Sequence, residues 1–140
     1  MAKEPIKEIN LTIPMLPNME ITARRTVEAV AEVMDLDDDK TAEVSMALIE
    51  ACLNSFEHSN SKDKKVFITF QVMQNELRII LRDNGNGFDP KKVEIPDLSK
   101  KLKPGIRKRG WGLQLMAGMM DTLEIKSGPD GTTIFMSKKK

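Results

Sequence analysis

A glutamate and an asparagine four residues apart, Glu50 and Asn54, fall in a stretch with helical spacing. At about 100° per residue the two share one stripe, which His58 extends by a further turn. Ala47 and Ala51 border that stripe and leave room beside it. A carboxylate and an amide so placed suit magnesium-dependent phosphoryl transfer: the amide oxygen is a hard ligand for Mg²⁺, and the carboxylate can take a proton from a hydroxyl. The same pair equally suits a solvated helix face, and His58 a helix end. Val44, Leu48, Ala51 and Ser55, joined by Cys52 and Phe56, lie on another side of the helix and can serve a core.

Two glycine boxes follow. In Asp83-Asn84-Gly85-Asn86-Gly87, an acid at a strand end precedes two alternating glycines. Glycine permits close backbone approach to a ligand and positive φ, and Asp83 could accept a hydrogen bond from an exocyclic amine such as that of adenine. The same residues also favour a plain tight turn. The second box, Arg109-Gly110-Trp111-Gly112-Leu113, opens a helix. Backbone N–H groups and the dipole at a helix N-terminus favour anions, and Lys108 and Arg109 add positive charge. A polyphosphate is a natural guest there; a glycine-punctuated loop before a buried helix is the plainer alternative. Trp111 could shield that loop, pack, or meet a partner. There is no Walker sequence, so an ATP site would have to be built differently.

These residues need elements to hold them. Residues 8–13 alternate polar and apolar, which predicts a strand that Pro14 and Pro17 end. Ile21, Ala23, Val27, Val30, Ala31 and Met34 predict an amphipathic helix from about Asn18 to Met34. An acidic turn, Asp35 to Asp39, leads to a second helix from about Lys40 to Glu57. Alternation through Val66, Ile68, Phe70 and Val72, then the run Leu77 to Leu81, predicts a hairpin turning at Gln74 and Asn75. Residues 89–109 have no period, and long aperiodic loops in small domains are usually functional. A short helix is expected from about Trp111 to Met120, with Leu113, Leu115, Met116, Met119 and Met120 apolar. Strands at Thr122 to Ser127 and Thr132 to Ser137 close the chain around a Gly-Pro-Asp-Gly turn. The sum is an α+β fold, a two-layer sandwich with helices on one face of a mostly antiparallel sheet.

Composition bounds the function. The 140 residues suit one domain over 1–140, with a charge balance of +1 that argues against a dedicated nucleic-acid binder. That total hides a split: 5 basic and 12 acidic side chains over residues 1–60, 17 and 9 over residues 61–140. Residues 89–109 alone carry 8 basic and 3 acidic side chains. Lys138, Lys139 and Lys140 read as solvated charges. A single cysteine, Cys52, cannot form an internal disulfide and reads as core. No membrane span or signal peptide is evident, so a cytoplasmic protein is expected.

In order, Glu50-x-x-x-Asn54, Asp83-x-Gly85-x-Gly87 and Gly110-x-Gly112 resemble the ATP-binding fold shared by gyrase, Hsp90, histidine kinases and MutL. Gly131-Thr132 resembles that superfamily's late Gly-Thr element, where the threonine helps bind the adenine end. The match spans roughly residues 40–135. It implies ATP and Mg²⁺ as cofactors, with Asn54 on the metal, Glu50 as general base and Asp83 on the adenine amine. It also implies that residues 89–109 form the ATP lid. A histidine kinase would need a phospho-accepting histidine upstream, and the only histidine, His58, lies in the first box.

The stretch Leu48-Ile49-Glu50-Ala51-Cys52-Leu53-Asn54, with one strand and one helix before it, looks like the anti-sigma factor serine kinases. Ala23-Arg24-Arg25-Thr26-Val27 resembles their first helix, in which the arginine matching Arg24 contacts partners. That resemblance implies a homodimer that binds an RNA polymerase sigma factor, or phosphorylates a serine of a STAS-domain anti-anti-sigma factor. Neither direct nucleic-acid contact nor membrane contact is implied. Ser55 and Ser59 depart from the small apolar residues usual beside the box, and Lys100 to Lys108 is unusually basic. A nucleotide-binding regulator that controls its target by binding alone would share every residue named.

Overall fold

The computed structural model describes residues 7–87 and 109–140, and of residues 109–111 the backbone alone. Five strands form one sheet: β1 (Lys7–Pro14), β2 (Lys65–Val72), β3 (Glu76–Asp83), β4 (Thr122–Gly128) and β5 (Gly131–Lys139). Their order is β1-β2-β3-β5-β4, and every neighbouring pair is antiparallel. Helices α1 (Glu20–Met34), α2 (Asp38–His58) and α3 (Arg109–Met119) pack on one face. The two-layer α+β expectation holds.

Strand alternation decides which face is covered. Val66, Ile68, Phe70 and Val72 of β2, Leu77, Ile79 and Leu81 of β3, and Ile134 and Met136 of β5 all point into the helix layer and are buried. A register slip of one residue would expose all of them, so the hydrophobic pattern fixes the pairing. The matching stripes are Ala23, Val27, Val30 and Ala31 on α1, and Val44, Ala47, Leu48, Ala51 and Cys52 on α2. Each large apolar side chain withdrawn from water contributes about 1.5–3 kcal/mol.

The acidic turn between α1 and α2 is largely explained by backbone needs. Asp35 adopts the left-handed conformation (φ 57°) that ends α1. The Asp37 side chain accepts a hydrogen bond from the Lys40 N–H at 2.8 Å, capping α2. Asp38 and Asp39 then lie in the first turn, where the helix dipole favours acids. The β2–β3 turn closes with the Met73 N–H donating to the Glu76 carbonyl at 2.9 Å.

Two expectations change. Helix α3 starts at Arg109 rather than Trp111, so Gly110 and Gly112 lie inside its first turn. Glycine costs about 1 kcal/mol in a helix, but buried Met116 and Met120 anchor the element from below. Lys138 is not a solvated charge: it is 6% exposed and faces the helix layer. Strand parity requires this, since Lys138 follows Thr132, Ile134 and Met136 on the inward side of β5. The basic stretch 89–108, with Lys108, lies outside the described residues.

Candidate functional site

Asp83 ends β3 with its side chain on the helix-covered face, 3% exposed. Ser55 Oγ of α2 donates to Asp83 Oδ2 at 2.7 Å, and the Gly85 N–H donates to Oδ1 at 3.0 Å. A carboxylate offers about four acceptor positions, so each oxygen retains capacity for a further donor. The structure brings Asp83 and Thr132 together, as directly paired residues of β3 and β5. Thr132 is 5% exposed, and its Oγ1 lies 2.7 Å from Ser127 Oγ of β4.

The first glycine box is set by backbone contact. A Cβ on Gly85 would lie 2.0 Å from the Ser59 carbonyl oxygen, and one on Gly87 2.0 Å from that of Gly128. Gly87 also needs its positive φ of 72°. The Asn86 N–H donates to the Ser59 carbonyl at 3.0 Å. Asn84 Nδ2 donates to Asp63 Oδ2 at 2.9 Å, and this amide is the main reason the Asp63 carboxyl sits below its ordinary pKa. Asp83 is thereby clamped between α2, the connector after it, and the β4–β5 turn.

Ser55 and Ser59 were the departures in sequence, and they now have distinct places. Ser55 is the partner that orients Asp83. Ser59 offers its carbonyl to Asn86, while its hydroxyl is buried without a hydrogen-bond partner among the described residues. The sequence signal for Ser55 was available: it lies 28 positions before Asp83, on the apolar side of α2, where a hydroxyl needs a reason.

On α2, Asn54 is 4% exposed and Glu50 half-buried. Asn54 immediately precedes Ser55, so the residue expected on the metal neighbours the one that holds Asp83. His58 closes the helix with its Nε2 at 3.7 Å from Glu57 Oε2. Cys52 is core, and burial first, then the Glu20 carboxylate, push its thiol up to about 12. Among the described residues, no group of three His, Cys, Asp or Glu could hold a metal ion. An Mg²⁺ shared with phosphates needs only one or two protein oxygens, so one amide is a sufficient protein share.

The second box occupies the first turn of α3, where backbone N–H groups have no partner within the helix. Gly112 is buried and Leu113 half-buried, packed against the core. Arg24 lies on α1, its Nε 3.5 Å from Glu28 Oε1. Arg24 Nε and Glu20 Oε2, one turn apart, are both buried without a hydrogen-bond partner among the described residues.

The residues present fit an adenine nucleotide on the chemistry of their donors and acceptors. A buried carboxylate with open acceptor positions matches an exocyclic amine. The backbone N–H groups in the first turn of α3 match phosphate oxygens.

Comparison with known proteins bears on this arrangement. Residues 13–138 match the family model described as "Histidine kinase-like ATPase domain". A serine-protein kinase RsbW of Bacillus thuringiensis is 31% identical over 140 residues, covering 96% of this chain and 86% of that one. The RsbW of Bacillus pumilus is 29% identical over 142 residues, covering 96% and 87%. In fold, the crystal structure of the RsbU and RsbW domains of a Mycobacterium tuberculosis protein superimposes with a TM-score of 0.71 at 18% identity. That match covers 96% of this chain and 32% of the other. A blue-light activated histidine kinase of Erythrobacter litoralis gives 0.56 at 15% identity, over 90% of this chain and 42% of that one. The chain belongs to the RsbW serine-protein kinases, within the histidine kinase-like ATPase family.

Proposed function

We propose that the protein is an ATP-dependent serine-protein kinase and anti-sigma factor of a partner-switching circuit. It binds an RNA polymerase sigma factor, and it phosphorylates a serine of a STAS-domain anti-anti-sigma factor. The observation that carries this reading is the buried Asp83 carboxylate, held by Ser55 of α2 one residue from Asn54. One helix therefore links the nucleotide-reading acid to the pair with phosphoryl-transfer chemistry.

Bound Mg-ATP supplies the transferable γ-phosphoryl group and the metal that neutralises its charge. Asp83 accepts a hydrogen bond from the adenine amine, with Thr132 beside it. Asn54 offers its amide oxygen to Mg²⁺. Glu50 takes the proton of the attacking serine hydroxyl. Gly85 and Gly87 shape the adenine end, while phosphate binding is assigned to Lys108, Arg109, Gly110, Gly112 and Leu113 on the family resemblance. Arg24, its side chain 39% exposed beside Glu28, contacts the protein partner.

The protein acts as a homodimer in the cytoplasm, without touching nucleic acid directly. In support of a dimer, the sheet face turned away from the helices carries half-buried Phe67, Ile80 and Phe135. Glu76–Arg78 and Glu124–Lys126 form ion pairs there, while Arg82 stacks 4.8 Å from the Phe67 ring. Among the described residues, no helix is long and apolar enough to cross a membrane.

The test follows γ-phosphate from ATP onto a STAS-domain protein in the presence of Mg²⁺. Transfer to one serine is expected, and a Glu50→Gln variant should still bind ATP while losing roughly 10²–10⁴ in rate. Binding of ATP with no transfer to any candidate would replace the kinase with a regulator that works by binding. Unchanged transfer by Glu50→Gln would remove Glu50 as the base.

A further inference from the structure

One buried charge belongs to none of the residues above. Lys138 Nζ, in β5, donates to Glu43 Oε2 of α2 at 2.7 Å and to the Met119 carbonyl at 2.7 Å. Met119 is the last residue of α3. Its carbonyl is one of the four that a helix leaves unsatisfied, at the negative end of the dipole. A single ammonium thus ties together the sheet, the early part of α2 and the end of α3.

Replacing both ions of a buried pair by matched apolar side chains is often neutral, because desolvation offsets most of the attraction; here Lys138 is the buried partner, and the Glu43 side chain is 40% exposed. What the pair adds is register. The inward side of α3 is buried Gly112 and Met116, with half-buried Leu113, Leu115 and Met119 around them and buried Met120 just past its end. Methionines are pliable packing partners, so apolar packing alone sets the position of this helix less sharply than directed bonds do. Two charge-assisted bonds at 2.7 Å supply that direction. Nearby, the Asp121 N–H donates to the Ser137 carbonyl at 3.0 Å, and the Lys139 N–H to Asp121 Oδ2 at 2.6 Å. Those bonds hold the chain leaving α3 to β5, and among the described residues Lys138 joins the helix end to α2 through a charge.

The two helices so joined are the ones that divide the candidate site. Helix α2 carries Glu50 and Asn54, and α3 begins with the second glycine box, about 15 Å from its latched end. We propose that Lys138 is a positioning residue for nucleotide binding: by fastening the end of α3 to Glu43, it sets the first turn of α3 against Glu50 and Asn54. This inference rests on the nucleotide reading of the site, whereas the latch itself does not.

Lys138→Met keeps an apolar stem of similar length and removes the ammonium. Hydrogen exchange is measured on the full chain without nucleotide, and ATP affinity by calorimetry with Mg²⁺. Exchange across residues 109–119 is expected to quicken about tenfold while β2 and β3 stay unchanged. ATP affinity should fall about three- to tenfold, and Lys138→Arg should recover most of both. If Lys138→Met fails to fold, Glu43→Gln, which keeps a neutral acceptor, should give the same pattern more weakly. Unaltered exchange in α3 overturns the latch; faster exchange with unaltered affinity overturns the positioning role. An unmodified chain that binds no ATP sinks the positioning role with the proposed function, and the exchange data then judge the latch alone.

Discussion

Helix α2 is pinned to the sheet by buried charge at both ends, and the two ends are built on different principles. Ser55 reaches Asp83 at one end, and Glu43 reaches Lys138 at the other. The spacings agree: Ser55 lies about 18 Å from Glu43 along the helix, and Asp83 about 20 Å along β3 from Leu77, the register partner of Lys138. Lys138 meets a carboxylate of opposite charge. Asp83 meets only a hydroxyl and a backbone N–H among the described residues. A buried ion whose charge is matched within the protein serves to fix elements relative to one another. A buried ion held by neutral donors, with acceptor positions left over, is equipped to receive something else.

The ends differ in backbone as well. Around Asp83 the chain approaches itself too closely for any side chain: Gly85 on Ser59, Gly87 on Gly128, and Gly131 with its would-be Cβ 2.1 Å from the Asp83 carbonyl oxygen. At the Lys138 end no glycine is pressed on a backbone: a lysine side chain reaches a carboxylate and a helix-end carbonyl. Gly85→Ala is therefore the most damaging change at either end. Relief requires a shift of the Ser59 backbone, which costs about 3 kcal/mol or more and lowers Tm by roughly 10 °C. Thermal melting checks this, and a Tm within about 2 °C of the parent would show that the connector yields freely.

Asp83→Asn separates holding from receiving. The amide keeps the size of the carboxylate but has one acceptor oxygen, so it cannot serve Ser55, Gly85 and an incoming amine together. Loss of a hydrogen bond to a charged group, about 1.5–3 kcal/mol, corresponds to roughly a 10- to 150-fold weaker affinity for ATP. The effect should exceed that of Lys138→Met, since a contact outweighs a positioning bond. Equal losses in the two variants would erase the distinction between the two ends.

How legible each end was in the sequence follows from the same contrast. Asp83, Gly85 and Gly87 stood out as an acid and alternating glycines at a strand end, Thr132 through the resemblance of Gly131-Thr132 to a late Gly-Thr element, and every strand was foreseen within two residues. Glycine was read there as room for a ligand; the structure gives each glycine a backbone neighbour first. Ser55 was noticed only as a departure, because its partner is 28 residues away. The Lys138 latch was invisible. A lysine before two more lysines looks solvated, and neither Glu43 nor a helix-end carbonyl leaves any local trace of it. Counting parity inward from Ile134 and Met136 was the one available signal.

The smallest expected effect isolates what Ser55 does. Ser55→Ala removes the hydroxyl at 2.7 Å from Asp83 Oδ2 and leaves the Gly85 N–H in place. The void is a single oxygen atom, so packing changes little, and the loss is that of one buried bond to a carboxylate, about 1–2 kcal/mol of stability. The freed acceptor position sits beside the surface where an amine would bind. Water that follows a nucleotide into the cleft can fill it, which returns part of the loss in the bound state. ATP affinity should accordingly fall by no more than about threefold, read by the same calorimetry as for Asp83→Asn. If Ser55→Ala weakened ATP as much as Asp83→Asn, orientation of the carboxylate, rather than its open acceptor positions, would be the property that α2 supplies.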